Sequence, residues 1–258
     1  MSYSINESNR ERQGLLGNNY NRLASKYFKM LALPTAGSIL DLGCGQGETT
    51  RLLNETFAPA TCIGIDMDAS LLKIASEKNQ TLDGPDYRLA NAKSLPFDDN
   101  FFDLVYARLL LIHVPGSEAV LQEMKRVCKP GGVVMVQDLA IPETSGLFPK
   151  NWAYEKMAVA MQSLFANPDM GKVLPLLFKK NEFTQITIRS DFYLLHEKGS
   201  AKQLMTQTGA AMLEKMIGKG ILQKEETNDF IKELKRVEQD YSYTFLTDPF
   251  ISVWGVKP

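Results

Sequence analysis

An apolar stretch beginning Ser38-Ile39-Leu40 runs into Asp41, then into a loop with Gly43, Gly45 and Gly47, then into a segment that opens as a helix at Glu48. These residues constrain the fold more than any others in the chain. A strand that hands over to a glycine-rich turn and then to a helix is the opening of a parallel βαβ unit. Glycines let backbone N–H groups approach a ligand with no Cβ in the way. The helix start adds unpaired N–H groups and partial positive charge. The spacing is G-x-G-x-G, and not the G-x-G-x-x-G of dinucleotide enzymes, because position 48 is Glu. The plainer alternative for this segment alone is an ordinary tight βα turn.

A second short apolar strand, Thr61 to Asp66, ends in a carboxylate 19 residues after Gly47. Doubly wound folds place an acid on ribose hydroxyls at a separation of about 20 residues. One helix, one turn and one strand return the chain to the same sheet edge, where a carboxylate can accept two hydrogen bonds from a vicinal diol. Asp66 and Asp68 also precede a helix expected over Ala69 to Lys78, so Asp68 is read as its N-cap and Asp66 as the ligand. Farther on, Tyr87 to Phe97 reads as a short strand and a loop, and Phe101 to Arg108 as strand four. Helix Ser117 to Cys128 has Val120, Leu121, Met124, Val127 and Cys128 on one face. Lys129-Pro130-Gly131-Gly132 stops it, and Val133 to Leu139 is strand five. Strands six and seven are expected at Gln185 to Leu195 and Pro249 to Lys257.

Several of these segments, in this order, resemble the class I S-adenosylmethionine-dependent methyltransferases. Leu40 to Thr50 resembles the family's first motif, and Asp66 falls where its ribose acid stands. Ala90-Asn91-Ala92 and Leu95-Pro96-Phe97 are similar to the family's G-D-A-x-x-L-P-F segment, with Asn91 in place of the usual Asp. Phe102-Asp103-Leu104-Val105, His113-Val114 and Lys129-Pro130-Gly131-Gly132 complete the likeness, which covers about Ser38 to Leu139. Upstream, Tyr20 to Tyr27 resembles the Y-D-x-x-A-x-x-Y helix of many small-molecule methyltransferases, with Asn21 for Asp.

The resemblance implies an α/β, Rossmann-like doubly wound sheet of seven strands in the order 3-2-1-4-5-7-6, with strand seven antiparallel. It implies S-adenosyl-L-methionine as cofactor, held by Asp41, Gly43, Cys44, Gly45, Gly47, Asp66, Met67, Asn91, Ala92, Arg108 and Tyr27. An Asn91 carbonyl can still accept from an adenine amino group, or the side chain can close its own turn. Tyr20 and Tyr27 share a helix face that would either cover the cofactor or pack onto the core. For Arg108, a clamp on a substrate anion and a surface ion pair remain open. Methyl transfer needs a nucleophile held in line with water excluded, because the sulfonium is already electrophilic. His113 and Asp138 are the candidate bases, and Tyr20 is a candidate orienting group. His113 has the alternative of a structural His at a helix start.

Composition is that of a globular protein: 258 residues, 44% hydrophobic and 23% charged. A net charge of −1 gives no electrostatic footprint for nucleic acid or a membrane surface. The polar start, and the absence of an apolar run of the ~18 residues a bilayer requires, lead to a cytoplasmic expectation. Cys44, Cys62 and Cys128 are odd in number and scattered, so they read as reduced thiols. With only two histidines, no metal site is expected.

The whole chain is read as one methyltransferase domain. It carries an N-terminal helical cap over about residues 8–30 and helical insertions over about 142–171 and 199–247. Phe230, Leu234, Val237 and Tyr241 form one apolar stripe, and Met205, Met212 and Met216 another. Insertions this long at the carboxyl edge of a sheet are usually functional. They are expected to act as lids over a largely apolar cavity, with a small-molecule methyl acceptor as partner and a monomer or homodimer as assembly. Two other classes stay open. One is a nucleic-acid or protein methyltransferase, although the place for a D/N-P-P-Y/F motif reads Tyr106-Ala107-Arg108-Leu109. The other is a protein that binds the cofactor for different chemistry.

Overall fold

In the computed structural model, which describes residues 20–35, 37–79, 84–192, 194–195 and 200–258, the chain divides into two compact units. The larger unit holds residues 21–139, 170–190 and 250–258. Its strands are β1 (Ser38–Leu42), β2 (Thr61–Asp66), β3 (Asp86–Leu89), β4 (Phe102–Arg108), β5 (Cys128–Leu139), β7 (Thr184–Asp191) and β10 (Phe250–Val256). They form one sheet in the order β3-β2-β1-β4-β5-β10-β7. Counted along this sheet alone, that is 3-2-1-4-5-7-6, as the resemblance implied. The β10 strand runs antiparallel to β5, with Ser252 opposite Gln137 and Trp254 opposite Met135. The four neighbouring pairs among β1 to β5 are all parallel and follow the βαβ pattern, such as Ile39 beside Cys62 and beside Leu104.

Strands β1, β2 and β4 are buried on both faces, which is why they read as nearly continuous apolar runs, whereas the edge strand β3 is mostly exposed. Helices α2 (Glu48–Phe57), α3 (Ala69–Lys78), α4 (Ser117–Val127) and α6 (Met170–Lys180) belong to this unit. On one face a helix over 20–28, α1, sets Ala24, Tyr27 and Phe28 into a cluster with Ile39, Leu104, Tyr106, Val133, Met135 and Trp254. Asp68 caps α3 as its spacing suggested, accepting from the N–H groups of Ser70 at 2.9 Å and Leu71 at 3.4 Å. Two boundaries differ from expectation. Strand β5 begins at Cys128, five residues before Val133, because Cys128 already pairs with Phe102. The expected strand over Gln185 to Leu195 ends at Asp191, and Leu194–Leu195 forms β8 in a different sheet.

The second unit comprises residues 1–20, 140–169 and 191–249, so both long insertions belong to one body. The expected cap over 8–30 lies outside the described residues up to position 19. This unit contains a three-stranded sheet of β6 (Leu147–Phe148), β9 (Thr244–Leu246) and β8, in the order β6-β9-β8. Its helices are α5 (Trp152–Leu164), α7 (Ser200–Gly218) and α8 (Thr227–Gln239). The α8 stripe of Phe230, Leu234 and Val237 is buried, whereas Tyr241 is 62% exposed because the helix ends two residues before it. The methionine stripe on α7 needs a larger correction. Met216 is buried, but Met205 and Met212 are only half-buried. Lys202, Thr206 and Gly209 share the inward side instead. A Cβ on Gly209 would lie 2.5 Å from Leu234 Cδ1 and 3.2 Å from Met157 Sδ, so close helix contact, and not methionine bulk, sets this packing. The Lys202 ammonium donates to the carbonyls of Asp240 at 2.9 Å and Tyr243 at 2.8 Å, placing a cation at the C-terminus of α8.

Candidate functional site

The glycine loop joins β1 to α2 at the carboxyl end of the sheet. Its backbone is left-handed at Gly43 (φ 68°), Gly45 (φ 54°) and Gly47 (φ 78°), and Gly47 is the N-cap of α2. Two of these positions require glycine for opposite reasons. A Cβ on Gly47 would lie 2.3 Å from Tyr87 Oη, so the loop passes hard against the β3 side chain. A Cβ on Gly45 would meet nothing within 4 Å, so Gly45 faces open space. The space beside Gly45 is where a ligand can approach the backbone.

Asp66 governs the loop's shape. One carboxylate oxygen accepts the Gly45 N–H at 2.9 Å and the other accepts the Asp68 N–H at 3.0 Å. Asp66 is half-buried, and a carboxylate has acceptor positions beyond those two. Met67 beside it is 70% exposed. Asp41 is 2% exposed and accepts the Thr50 hydroxyl at 2.7 Å. Burial pushes its carboxyl up to about 7, against the pull of the Thr50 hydrogen bond and the Arg108 charge. Cys44 is buried, and burial next to two carboxylates pushes its thiol upward, so it is held as a neutral packing group.

The other sequence candidates divide. Arg108 donates to Asn21 Oδ1 at 2.8 Å, tying the end of β4 to α1. Asn91 is exposed, and its carbonyl oxygen closes its own turn by accepting from the Lys93 N–H at 2.9 Å; Ala92 is buried next to it. Tyr27 is 2% exposed and packs on Trp254 at 5.6 Å between ring centroids. Of its two readings, packing is the one this geometry carries. Tyr20 is half-buried at the first described position. His113 is exposed at the end of a 3₁₀ turn, Leu111–His113, that follows β4. Asp138 does not sit on a pocket rim, as expected of a base. It is fully buried, accepts backbone N–H groups from Ile112 at 3.0 Å and Leu139 at 3.1 Å, and is pushed up to about 7 by that burial.

Sequence reasoning passed over four side chains here: Thr50, Tyr87, Leu110 and Gln137. Gln137 lies fully buried in β5, accepts the Tyr106 hydroxyl and donates to Ser252 at 2.8 Å. A glutamine inside an apolar strand was the available signal. Among the described residues, no group of three His, Cys, Asp or Glu side chains is placed to hold a metal ion.

The arrangement fits the polar parts of S-adenosylmethionine. An open backbone cradle at Gly45, an adjoining helix N-terminus and a half-buried carboxylate suit an amino-acid moiety and a ribose diol.

Residues 40–136 match the family model described as a methyltransferase domain. The chain is 32% identical over 165 residues to a demethylmenaquinone methyltransferase of Bacillus licheniformis, covering 64% of this chain and 68% of the relative. It is 36% identical over 140 residues to the demethylmenaquinone methyltransferase of Lactiplantibacillus plantarum, covering 52% of this chain and 59% of that one. The match to this second relative therefore spans less than two thirds of its length. The YcgJ protein from Bacillus subtilis has the same fold, with a TM-score of 0.63 at 18% identity over 93% of this chain and 100% of that one. The glycine loop, the acid at the end of β2, the strand order and the relatives agree: the chain belongs to the class I S-adenosylmethionine-dependent methyltransferases.

Proposed function

We propose that the protein transfers the methyl group of S-adenosylmethionine to a small, largely apolar acceptor by in-line displacement, and that a reduced quinone ring is the acceptor class to test first. The observation that carries this reading is the 32% identity over 165 residues to a demethylmenaquinone methyltransferase, a stretch longer than the 40–136 family match. The bound cofactor supplies an electrophilic methyl on a sulfonium. The chain's own residues bind and orient it. The Cβ side of Gly45 and the start of α2 lie at the open side of the glycine loop, and Asp66, whose carboxylate also takes the Gly45 N–H, is the acceptor for the ribose diol. Asp41, Gly43, Cys44 and Gly47 shape the loop from below. Met67, Asn91 and Ala92 border the adenine, and Asn91 does so through backbone groups because its carbonyl oxygen is engaged. His113 is the group available to take a proton from a hydroxyl or an acidic ring carbon, since it is exposed where Asp138 is not.

The chain leaves the large sheet after Leu139 and Asp191, the carboxyl ends of β5 and β7, and its insertions lie outside the family match, so acceptor selectivity is sought in them. Fold alone does not set the acceptor.

The test is an incubation of the purified protein with S-adenosylmethionine and a short-chain demethylmenaquinol kept reduced, followed by mass spectrometry. The expected result is an acceptor heavier by one methylene, in step with S-adenosylhomocysteine. If cofactor binds but neither the quinol nor a panel of hydroxyl, amine and thiol acceptors is methylated, the transfer reading fails. A cofactor-dependent role without transfer then replaces it.

A further inference from the structure

The five residues after β4 are held more firmly than a surface turn requires. Leu109 is left-handed (φ 51°), a conformation a leucine rarely adopts, and its N–H donates to the Gln137 carbonyl at 2.9 Å. Leu110 then packs on the glycine loop: a Cβ on Gly43 would lie 2.9 Å from Leu110 Cδ1 and 3.4 Å from its Cβ and Cγ. The 3₁₀ turn Leu111–His113 has N–H groups at its start with no partner inside the turn. Asp138 supplies that partner. Its carboxylate takes the N–H of Ile112 at 3.0 Å and that of Leu111, and its other oxygen takes the N–H of Leu139 at 3.1 Å. All of this happens with Asp138 fully buried.

A buried carboxylate and a left-handed leucine are both unfavourable on their own. A strained residue persists only where its surroundings over-determine it, and such residues cluster at functional sites. The sheet itself does not need either feature, since β4 and β5 are already paired through Arg108 and Gln137. What the two features achieve together is a fixed Leu110 against Gly43.

We propose that Asp138 is a positioning residue for cofactor binding, acting through the turn at 109–113 to press Leu110 on Gly43 and so hold the glycine loop in its binding conformation. Asp138 touches no cofactor atom in this scheme. The inference concerns cofactor binding and is independent of which acceptor is methylated.

Two variants test it, with S-adenosylhomocysteine as the probe in calorimetry. Asp138→Asn keeps one acceptor oxygen but turns a donor NH2 toward backbone N–H groups. It loosens the turn without opening a cavity. Leu110→Ala removes the contact with Gly43. Each should raise Kd about 10-fold or more, and the double variant should be no weaker than the weaker single one, because both break one linkage. The amide resonances of Gly43, Gly45 and Gly47 should move in Asp138→Asn, which a role confined to the turn would not cause. Wild-type affinity in Asp138→Asn overturns the proposal. So do unchanged affinity in Leu110→Ala, additive losses in the double variant, or unmoved glycine amides. If Asp138→Asn does not fold, Leu110→Ala alone decides: weakened binding with shifted glycine amides supports the proposal, and wild-type binding overturns it.

Discussion

Replacing Gly47 by alanine tests how closely the glycine loop is packed. Two separable costs arise. The first is backbone: φ at Gly47 is 78°, and an L-residue in the left-handed region costs about 1–2 kcal/mol. The second is steric. The new Cβ would stand 2.3 Å from Tyr87 Oη, 2.7 Å from Cζ and 2.8 Å from Cε1. Comfortable separation for such atoms is about 3.5–4.0 Å, so the ring must move by roughly 1 Å or more. Forced overpacking of this kind costs about 1–3 kcal/mol. The sum is about 2–5 kcal/mol. A double-mutant cycle with Tyr87→Ala separates the parts, because removing the ring removes only the steric cost. In the Tyr87→Ala background, Gly47→Ala should cost about 1–2 kcal/mol, leaving a coupling of about 1–3 kcal/mol between the two sites. Urea unfolding followed by Trp254 fluorescence reports on the large sheet, once Trp152 is replaced by phenylalanine to silence the chain's other tryptophan. Equal costs of Gly47→Ala with and without the Tyr87 ring would refute the steric half. A total cost below about 0.5 kcal/mol in both backgrounds would refute the whole argument.

Asp66→Ala should weaken S-adenosylhomocysteine binding by about 1–3 kcal/mol in calorimetry with the fold intact, the scale of lost hydrogen bonds to a charged group; unchanged affinity removes Asp66 from the site. Burial raises the folded-state Asp41 carboxyl to about 7, so the folded chain holds this proton more tightly than the unfolded one. Its contribution to stability is complete below the ordinary carboxylate range and falls as pH rises to about 7, by at most on the order of 4 kcal/mol. Asp41→Asn should therefore gain on wild type between pH 5 and pH 8 in urea midpoints, and a pH-independent difference would sink the idea. Lys202→Met should leave the Asp240 and Tyr243 carbonyls without their donor, costing about 1–3 kcal/mol and speeding hydrogen exchange in the last turn of α8. Normal protection there would show that the lysine is not its cap.

The sheet was legible because its residues repeat one arrangement. Strands β1, β2 and β4 are buried on both sides, and α3 opens at a side-chain cap of its own. The acid at the end of β2 and the Asp68 cap are local signals, so their positions could be read within a residue or two, whereas Pro130-Gly131, read as the stop after α4, lies inside β5. Strand β7 was overextended for the same reason in reverse. Ile186 to Leu195 has no breaker residue, and only tertiary pairing moves Leu194 and Leu195 to another sheet. The α7 face was misread because a methionine stripe looks like a core, while the true inward side uses Lys202, Thr206 and Gly209, whose roles depend on the carbonyls and side chains of other segments.

At the site, legibility follows the range of the interaction. Gly45, Gly47 and Asp66 act through backbone within a single βαβ unit, so spacing finds them. Asp138 illustrates what spacing cannot find. Its sequence context, a carboxylate at the end of a strand near a cofactor, fits a catalytic base equally well. What separates the roles is that the N–H groups it satisfies lie 26 residues earlier, at Ile112 and its neighbour. A base must expose a lone pair to substrate, and a carboxylate already filled by backbone donors and sealed from solvent cannot. Burial therefore decides between holding the turn and doing chemistry, and it is a property of the packed sheet that no local pattern records. His113 stands exposed at the end of this turn, and Asp138 accepts the N–H groups at the start of it.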